Sequence, residues 1–330
     1  MTNKSYNFQL SEKFIINNFL KKLNLNTTGT FNFENDAAFL KTSSKIKTVV
    51  TTDTIVENID FFTNDPPESI AQKIMCVNLS DISAMGAKPK TYTLNLSINS
   101  TIDKTWLKRF SKHLSKIQKK YKMYLLGGDI SRSKEISLTI TCFGESILKN
   151  IINQKNSRLG DDIWVTGDLG NSFLGYNKMI KKPKFKFEKK HIKKLKNFYL
   201  YPEPCMFGSK ASKYINAALD ISDGFYGDLQ KILHGKFGAK ISRESIPISD
   251  IAKKFLTNNP NKIKFSDILS WGDDYELLFT SFKKNRKKIL TLAKKNKVKI
   301  SLVGSIINKT GIYDDSLRPI INTNSFDHFC

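Results

Sequence analysis

The sequence predicts a two-domain α+β protein, with a ferredoxin-like α+β domain over residues 1–150 and an α/β domain over residues 151–330. The chain has 330 residues, which is enough for two domains of ordinary size. Segments with strand-like and helix-like patterns follow one another in both halves. A polar, loop-like stretch at 146–160 separates the two series of segments, and we therefore place the domain boundary there.

The first half contains strand and amphipathic-helix patterns in the order β-α-β-α-β-β. Pro67 and Gly86 suit positions near the start and the end of the first helix. This order predicts one sheet that helices cover on one face. The expected strands are 46–53, 91–99, 123–129 and 135–145, the expected helices are 67–87 and 103–121, and one short helix near 11–22 precedes them.

The second half begins with a strand and a turn at 162–170. Helical and extended patterns then alternate less regularly, and no repeat of fixed period occurs. The further expected strands are 217–222, 275–281 and 299–305, and the expected helices are 172–180, 205–216, 225–234, 249–257 and 283–296.

The net charge of +24 is the most extreme feature of the composition. It is compatible with nucleic acid or an anionic membrane surface as partner, or with a lysine-rich surface that has no such partner. Most lysines of 181–196 and 282–299 occupy the polar faces of amphipathic segments, which favours the second interpretation. Nucleic acid is therefore not an expected partner, whereas small anionic substrates are compatible with the charge.

The chain carries no feature of a secreted or membrane protein. No run of ~18 apolar residues occurs, and the N-terminus lacks the apolar core of a signal peptide. Cys76, Cys142, Cys205 and Cys330 are scattered and form no CxxC pair, so neither a disulfide framework nor a zinc site is expected. We predict a cytoplasmic protein that does not associate with membranes.

Aspartates stand at turns and at the ends of apolar segments, usually beside a small or hydroxyl-bearing residue. Each alone could be an ordinary turn residue, a cap or a solvated charge. Their repetition favours a metal–phosphate site, because hard divalent cations bind carboxylate, hydroxyl and carbonyl oxygens. The aspartates of this pattern are Asp36, Asp53, Asp81, Asp129, Asp220, Asp223, Asp273 and Asp274.

The common nucleotide-binding motifs are missing from the sequence. Residues 170–177, GNSFLGYN, have the glycine spacing of a P-loop, but Tyr176 stands where that motif requires lysine. No GxGxxG follows a strand, and neither a kinase catalytic loop nor an HExxH motif occurs. A bound nucleotide would therefore be held through metal ions rather than by a phosphate loop.

Eight segments of the chain, in this order, resemble thiamine-monophosphate kinases, a family of the aminoimidazole-ribonucleotide-synthetase-like superfamily. The resemblance extends over most of the chain, and NLSDISAMGA combined with DISDG is its most specific part. The segments are NDAAFL (35–40), TTDTIVENIDF (51–61), VNLSDISAMGAKPK (77–90), LLGGDISRS (125–133), GDDIWVTGDLG (160–170), DISDGFYGDL (220–229), GDDYELLF (272–279) and FDHF (326–329).

The resemblance implies ATP-dependent phosphorylation of thiamine monophosphate to thiamine diphosphate, assisted by Mg²⁺. It also implies a homodimer paired through the N-terminal domains, with ATP in a cleft between the two domains. A sister enzyme with another phosphorylated acceptor is an alternative, and a basic nucleic-acid-binding protein is a less favoured one. The residues carried over are Asp36, Thr51, Thr52, Asp53, Asp81, Asp129, Asp220 and Asp223 for Mg²⁺, Gly128, Asp129 and Ser222 for ATP, and Asp60, Asp273 and Phe326 for the substrate.

The chain departs from the family pattern at four positions. The family has Gly-Asp-Asp before the paired alanines, whereas residues 34–36 read Glu-Asn-Asp. Asp60 replaces a substrate-binding histidine, and Asp273 replaces a glutamate. An arginine that usually faces ATP is replaced by one of residues 154–155, with Arg158 a few residues further on.

Overall fold

The computed structural model describes residues 17, 31, 34–41, 46–146, 151–180 and 185–320. The expected substrate contact Phe326 and, apart from residue 17, the expected helix near 11–22 lie outside the described residues. The described part of the chain forms two sheets with helices packed on them.

The first sheet has five strands, and two long helices accompany it. The strands are β1 (Ala38–Lys41), β2 (Lys47–Val56), β3 (Lys88–Ile98), β4 (Tyr124–Arg132) and β5 (Ser137–Ser146), and the helices are α1 (Pro67–Ala84) and α2 (Lys104–Tyr121). The order across the sheet is β1-β2-β5-β3-β4. From β2 onwards, the order of elements along the chain is the predicted β-α-β-α-β-β.

The helices cover one face of this sheet, as predicted. Leu138, Ile140 and Cys142 of β5 are buried on the helix side. Thr139 and Thr141, which alternate with them, bond through their hydroxyls to threonines of β2 on the opposite face. This alternation is typical of a sheet with one packed face.

The second sheet lies in the C-terminal half, in which the structure describes six strands and seven α-helices. The strands are β6 (Asp162–Thr166), β7 (Ala217–Asp220), β8 (Gly238–Ile241), β9 (Leu277–Ser281), β10 (Ile300–Ile307) and β11 (Gly311–Tyr313). The helices are α3 (Asn171–Met179), α4 (Ile192–Leu200), α5 (Gly208–Ala211), α6 (Phe225–Leu233), α7 (Asp250–Asn258), α8 (Phe265–Leu269) and α9 (Arg286–Asn296). The order across the sheet is β11-β8-β10-β6-β9-β7.

Two details of the predicted fold class are wrong. A ferredoxin-like domain has the order β-α-β-β-α-β, whereas here α2 joins β3 to β4 as a parallel pair. The C-terminal sheet is mainly antiparallel rather than of the parallel α/β type, and among its described strands only β11 and β8 pair in parallel. The reason is that β6 lies between β9 and β10, so the unit β9-α9-β10 yields two antiparallel pairings. The coarser assignment, a mixed α+β fold, is confirmed.

One helix prediction in the second half also needs correction. The expected helix 205–216 is only α5 followed by a 3₁₀ turn, Ser212–Tyr214. The end of the lysine-rich stretch 181–196 is amphipathic as expected, since it belongs to α4, which exposes Lys193, Lys194 and Lys196 and buries Leu195 and Tyr199. The apolar spacing of these two residues, one helical turn apart, is hidden in the sequence by the surrounding lysines.

Helix α1 joins the two halves of the molecule. It packs against the first sheet on one side and against β7, α4 and α5 on the other. Gln72 Nε2 donates to the Pro202 carbonyl oxygen at 2.7 Å, and Ser83 Oγ donates to the Cys205 carbonyl oxygen at 2.6 Å. Polar residues of α1 therefore meet residues of both halves. Within the described residues, no helix is both long and apolar enough to cross a membrane.

Candidate functional site

Asp81 lies on α1 where this helix packs against β2. Thr51 Oγ1 donates a hydrogen bond to Asp81 Oδ2 at 2.5 Å and lies 3.3 Å from the Asp36 carbonyl oxygen. Asp53 lies two residues further along the same face of β2, and its charge raises the pKa of Asp81. Thr52 points to the other face, where its hydroxyl bonds to β5. Strand alternation thus divides the TTD segment between two faces.

Four carboxylates meet at the junction of the two halves: Asp36, Asp53, Asp81 and Asp220. Burial is the main cause that raises the pKa of each, and for Asp53 and Asp220 it raises the pKa to about 6. The pKa values of Asp36 and Asp81 are raised well above the usual value, also by neighbouring carboxylates of the group. Asp220 lies at the end of β7, and Ser80 of α1 lowers its pKa against the effect of burial. Four like charges in one place favour bound protons or a bound cation.

Two oxygens of this group fit a metal ion. Oδ2 of Asp36 and Oδ2 of Asp53 are buried and have no hydrogen-bond partner. A buried carboxylate oxygen without a partner is costly, and a cation would satisfy it and favour the ionised form. Among the described residues, no group of three or more acidic, histidine or cysteine side chains is arranged so that it could hold a metal ion by itself. Mg²⁺ suits this arrangement because it prefers oxygen ligands, uses few protein carboxylates and retains water.

The turn after Asp220 is held in place by Asp228 of α6. This fully buried carboxylate accepts hydrogen bonds from the backbone N–H groups of Ser222 and Asp223, at 3.1 and 3.0 Å. Lys231 lies one helical turn further on, with Nζ 2.8 Å from Asp228 Oδ1 and 2.6 Å from Asp223 Oδ2. The DISDG turn therefore rests on two charged residues of the helix that follows it.

The predicted substrate residue Asp273 adjoins the same turn. Its backbone N–H donates to the Ser222 carbonyl oxygen at 3.0 Å. Gly272 permits this close approach, since a Cβ atom there would lie 1.6 Å from the Ser222 oxygen. The turn predicted to contact ATP and the segment predicted to contact the substrate are thus neighbours.

Lys73 links Asp273 to α1. Its Nζ lies 3.0 Å from Asp273 Oδ2, donates to the Asp60 carbonyl oxygen at 2.7 Å, and lies 4.8 Å from the centre of the Tyr199 ring. Tyr275 donates from its hydroxyl to Asp273 Oδ1 at 2.7 Å. Lys73 is only 6% exposed, so these contacts compensate the burial of its charge.

An aromatic group lies next to Lys73. It consists of Phe62, Tyr176, Tyr199 and Trp271, whose contacting rings have centres 4.6–6.2 Å apart. The carboxylate of Asp60 is bonded to its own chain nearby, because its Oδ2 accepts a hydrogen bond from the Val56 backbone N–H at 2.7 Å. Ring faces beside charged groups are suited to hold an aromatic, charged ligand.

Within one chain, Asp129 does not reach the carboxylate group. It lies on β4, where its N–H donates to Asn95 Oδ1 at 3.0 Å. Asp53 and Gly128 lie on the same row of paired residues across the sheet, but β5 and β3 lie between their strands. Three strand spacings correspond to about 14 Å. Gly128 has a packing role, since a Cβ atom there would lie 1.8 Å from the Leu94 carbonyl oxygen. The ATP and metal roles of Gly128 and Asp129 stay predictions.

The residues that could replace the family's ATP-facing arginine, 154–155 and Arg158, lie in different places. The backbone N–H of Gln154 donates to Asn35 Oδ1 at 2.8 Å, beside Asp36. Arg158 instead lies over the ring of Phe282, 5.1 Å from its centre. Residues 154–155 are therefore better placed than Arg158 to face a ligand near the carboxylates.

Asp274 explains in structural terms why residues 170–177 do not act as a phosphate loop. Its carboxylate accepts hydrogen bonds from Gly170 N at 2.9 Å and from Ser172 Oγ at 2.9 Å, at the start of α3. These groups are the donors that a phosphate would use at a helix N-terminus. A protein carboxylate occupies that position already.

Sequence reasoning missed three charged residues of the site: Lys73, Asp228 and Lys231. The signal for Lys73 was its place within the apolar run of α1. The signal for the other two was their spacing of three residues on a predicted helix directly after DISDG, which places them on one helix face.

The comparisons with known proteins agree with this fold. Residues 34–146 match the family model described as AIR synthase related protein, N-terminal domain. The chain is 38% identical over 303 residues to the thiamine-monophosphate kinase of Buchnera aphidicola subsp. Schizaphis graminum, with 89% of this chain and 91% of the relative covered. It is 31% identical over 303 residues to that of Haemophilus influenzae, with 89% and 90% covered.

Among solved structures, the one described as AaThiL complexed with AMPPCP and TMP has a TM-score of 0.83 and 25% identity, with 97% of both chains covered. Fold and site together thus define an enzyme of the AIR-synthase-like superfamily. Within that superfamily, the chain belongs to the thiamine-monophosphate kinase family.

Proposed function

We propose that the protein transfers the γ-phosphoryl group of ATP to the phosphate of thiamine monophosphate, giving thiamine diphosphate and ADP. The observation that carries this proposal is the convergence of Asp36, Asp53, Asp81 and Asp220 from both halves of the chain, with buried oxygens that lack partners. Family membership supports the reaction, and the AMPPCP and TMP of the AaThiL complex support the two substrates.

Mg²⁺ is the metal that this site would hold. Bound there, it would neutralise phosphate charge and align the reacting groups. The chain supplies preformed carboxylates for it, because Thr51 orients Asp81, and Asp228 orients the turn that carries Asp223. The proposed ligands are Asp36, Asp53, Asp81 and Asp220, with Thr51, Asp129 and Asp223 as further ones that the sequence predicts. The sequence also predicts Thr52, but its hydroxyl lies on the other face of β2, so only its main chain is on the side of this site.

The chemistry needs no strong catalytic base. The second pKa of a phosphate monoester is about 6, so the acceptor oxygen is already ionised near neutral pH. It forms a bond to the γ-phosphorus while the bond from phosphorus to the β,γ-bridging oxygen breaks, and ADP leaves with that electron pair. The chain must then position two anions for in-line attack, and Mg²⁺ held by the carboxylates would supply the charge neutralisation that this requires.

We place thiamine monophosphate beside Asp273 and the aromatic group of Phe62, Tyr176, Tyr199 and Trp271. The rings offer faces for the two heterocycles of thiamine, and a carboxylate favours its positively charged thiazolium ring. The backbone contact between Asp273 and the DISDG turn supports this position, because it would bring the two substrates close together. Asp60 and Phe326 remain the other two predicted substrate contacts.

We also propose a homodimer that pairs through β4. All nine residues of this edge strand are exposed, including Tyr124 at 61%, Leu126 at 58% and Ile130 at 71%. An unpaired edge with exposed apolar side chains is a surface that proteins normally cover. A second copy across this edge would cover Gly128 and Asp129, which lie away from the carboxylates of their own chain.

Two further proposals concern domains and location. We retain the division into a metal- and ATP-binding, dimerising domain over 1–150 and a domain over 151–330 that completes the cleft. We retain a cytoplasmic location because ATP is the proposed co-substrate and because Cys76, Cys142 and Cys205 are free thiols, as a reducing compartment favours.

A coupled assay of ADP release tests the proposed function. The purified protein is supplied with ATP, Mg²⁺ and one acceptor at a time: thiamine monophosphate, thiamine, or another phosphate monoester. We expect release of ADP with thiamine monophosphate alone, thiamine diphosphate as product by mass spectrometry, and no turnover in EDTA. Turnover with a different monoester and none with thiamine monophosphate would contradict the proposal.

A further inference from the structure

Lys231 is an unusual residue to find beside a predicted metal site. Its Nζ lies 2.6 Å from Asp223 Oδ2 and 2.8 Å from Asp228 Oδ1. Asp223 belongs to the sequence-predicted metal ligands, so a protein cation already holds one of the carboxylates that a divalent cation would use. Neither the family resemblance nor the comparisons assign a role to this lysine.

The contact differs from an ordinary surface ion pair. Pairs between exposed charges contribute little, but here the Asp228 side chain is fully buried while the Lys231 side chain is 42% exposed. Asp228 is thus a fixed anchor, and the lysine reaches it from the solvent side.

We propose that Lys231 occupies, as a built-in cation, the position beside Asp223 that a divalent cation would otherwise take. A divalent cation then binds to Asp223 only if the lysine moves aside. This inference rests on the proposed Mg²⁺ site. It assigns Lys231 as a positioning residue that limits metal occupancy at one edge of the carboxylate group and leaves Asp53 and Asp81 to the first metal ion.

The expected size of the effect follows from electrostatics. A unit charge about 5 Å from a divalent cation raises its dissociation constant about tenfold, even with the dielectric constant of water, which suits a lysine open to solvent. Removal of the charge should therefore tighten divalent binding by about that factor. A lysine can give way because its long side chain has many rotamers and, here, is 42% exposed.

The experiment measures metal binding alone, without nucleotide or turnover. Mn²⁺ is titrated into the wild-type chain and the variants Lys231→Met, Lys231→Gln and Lys231→Arg, with free Mn²⁺ followed by electron paramagnetic resonance. We expect Met and Gln to bind Mn²⁺ about tenfold more tightly, or to bind one more ion, and Arg to behave as wild type. In Lys231→Met/Asp223→Asn, the gain should disappear, because the carboxylate that the lysine guards is gone.

Several outcomes would overturn the inference. Unchanged or weaker Mn²⁺ binding in both Met and Gln variants would overturn it, as would a gain that persists without the Asp223 carboxylate. If circular dichroism shows that both variants fail to fold even with Mn²⁺, the lysine is a structural residue and the inference is wrong. A wild-type chain that binds no Mn²⁺ and forms no thiamine diphosphate would instead contradict the proposed function itself.

Discussion

Thr51 and Asp81 join a strand to the helix that crosses between the two halves of the molecule. The Thr51 hydroxyl, on β2, donates to Asp81 Oδ2, on α1, at 2.5 Å. This bond lowers the pKa of Asp81, whereas burial and three neighbouring carboxylates raise it. The neutral Thr51 hydroxyl thus partly offsets the repulsion among the carboxylates at this junction. It also fixes the position of Asp81 Oδ2.

The first prediction concerns this hydroxyl. Thr51→Val keeps the shape of the side chain but leaves Asp81 without its donor, so we expect about 1–2 kcal/mol lower stability. We also expect a several-fold higher Mg²⁺ requirement, because the ionised carboxylate becomes less favourable. Denaturant unfolding and Mg²⁺ titration of turnover measure both. Thr54→Val, on the outer face of the same strand, is the control and should change the Mg²⁺ requirement by less than about twofold.

The second prediction concerns pH in the absence of metal. Asp220 has its pKa raised to about 6 in the folded chain, against 3.8 when unfolded. The folded state therefore binds more protons between these values, and metal-free stability should be highest below about pH 4 on this account and fall as pH rises toward 7. The loss is on the order of 3 kcal/mol for this group. Thermal melting in EDTA across pH 4–8 measures it.

Asp220→Asn provides the matched control for that pH series. Since the variant carries no ionisable group at this position, its metal-free stability should fall less with pH and exceed that of wild type at pH 8. Turnover should nevertheless drop by at least about 100-fold, as expected for loss of a metal ligand. An equally steep pH dependence in the variant would rule out Asp220 as a source of the effect.

Local patterns in the sequence predicted most elements, because each depends on neighbours a few residues apart. The aspartate after the apolar strand at Asp220 was visible in this way, whereas the strand expected to end at residue 53 continues to Val56. Contacts between distant segments were not predictable: the bond from Lys73 to Asp273 spans 200 residues and depends on how α1 lies between the sheets. Short elements such as β8, which begins at Gly238 and has four residues, carry too little periodicity to be recognised.

The order of the strands in the first sheet was also not predictable from the sequence. Nothing in the segment LLGGDISRS indicates that β4 is an edge strand, since edge position follows from the parallel crossover through α2 and from the antiparallel pairing of β5 with β3. For this reason Asp129 shared a motif pattern with Asp53 but lies three strands away from it, with β5 and β3 in between. The sequence therefore indicated which aspartates follow the same motif pattern, but it did not indicate where each of them lies in the sheet.

The third prediction concerns substrate binding by Asp273. Asp273→Asn removes the charge but retains an acceptor for Tyr275, so we expect the KM for thiamine monophosphate to rise about tenfold while the KM for ATP stays within about twofold. Steady-state kinetics with each substrate varied in turn separates the two. Asp168→Asn is the control, because Asp168 pairs with Lys299 at the surface and such pairs contribute little. A rise confined to the KM for ATP would contradict this assignment of Asp273.

The fourth prediction concerns the edge strand β4. Ile130 is 71% exposed, so Ile130→Lys should leave the folded chain intact while placing a charge in the proposed dimer interface, where it would be desolvated. We expect wild type to sediment as a dimer and the variant as a monomer at micromolar concentration, with melting of the monomer no more than a few degrees lower. Leu290→Lys, at a 51% exposed position on α9 in the other half, should remain dimeric. If Ile130→Lys sediments as wild type does, the chains pair through another surface, and the position of Asp129 on this edge needs a different explanation.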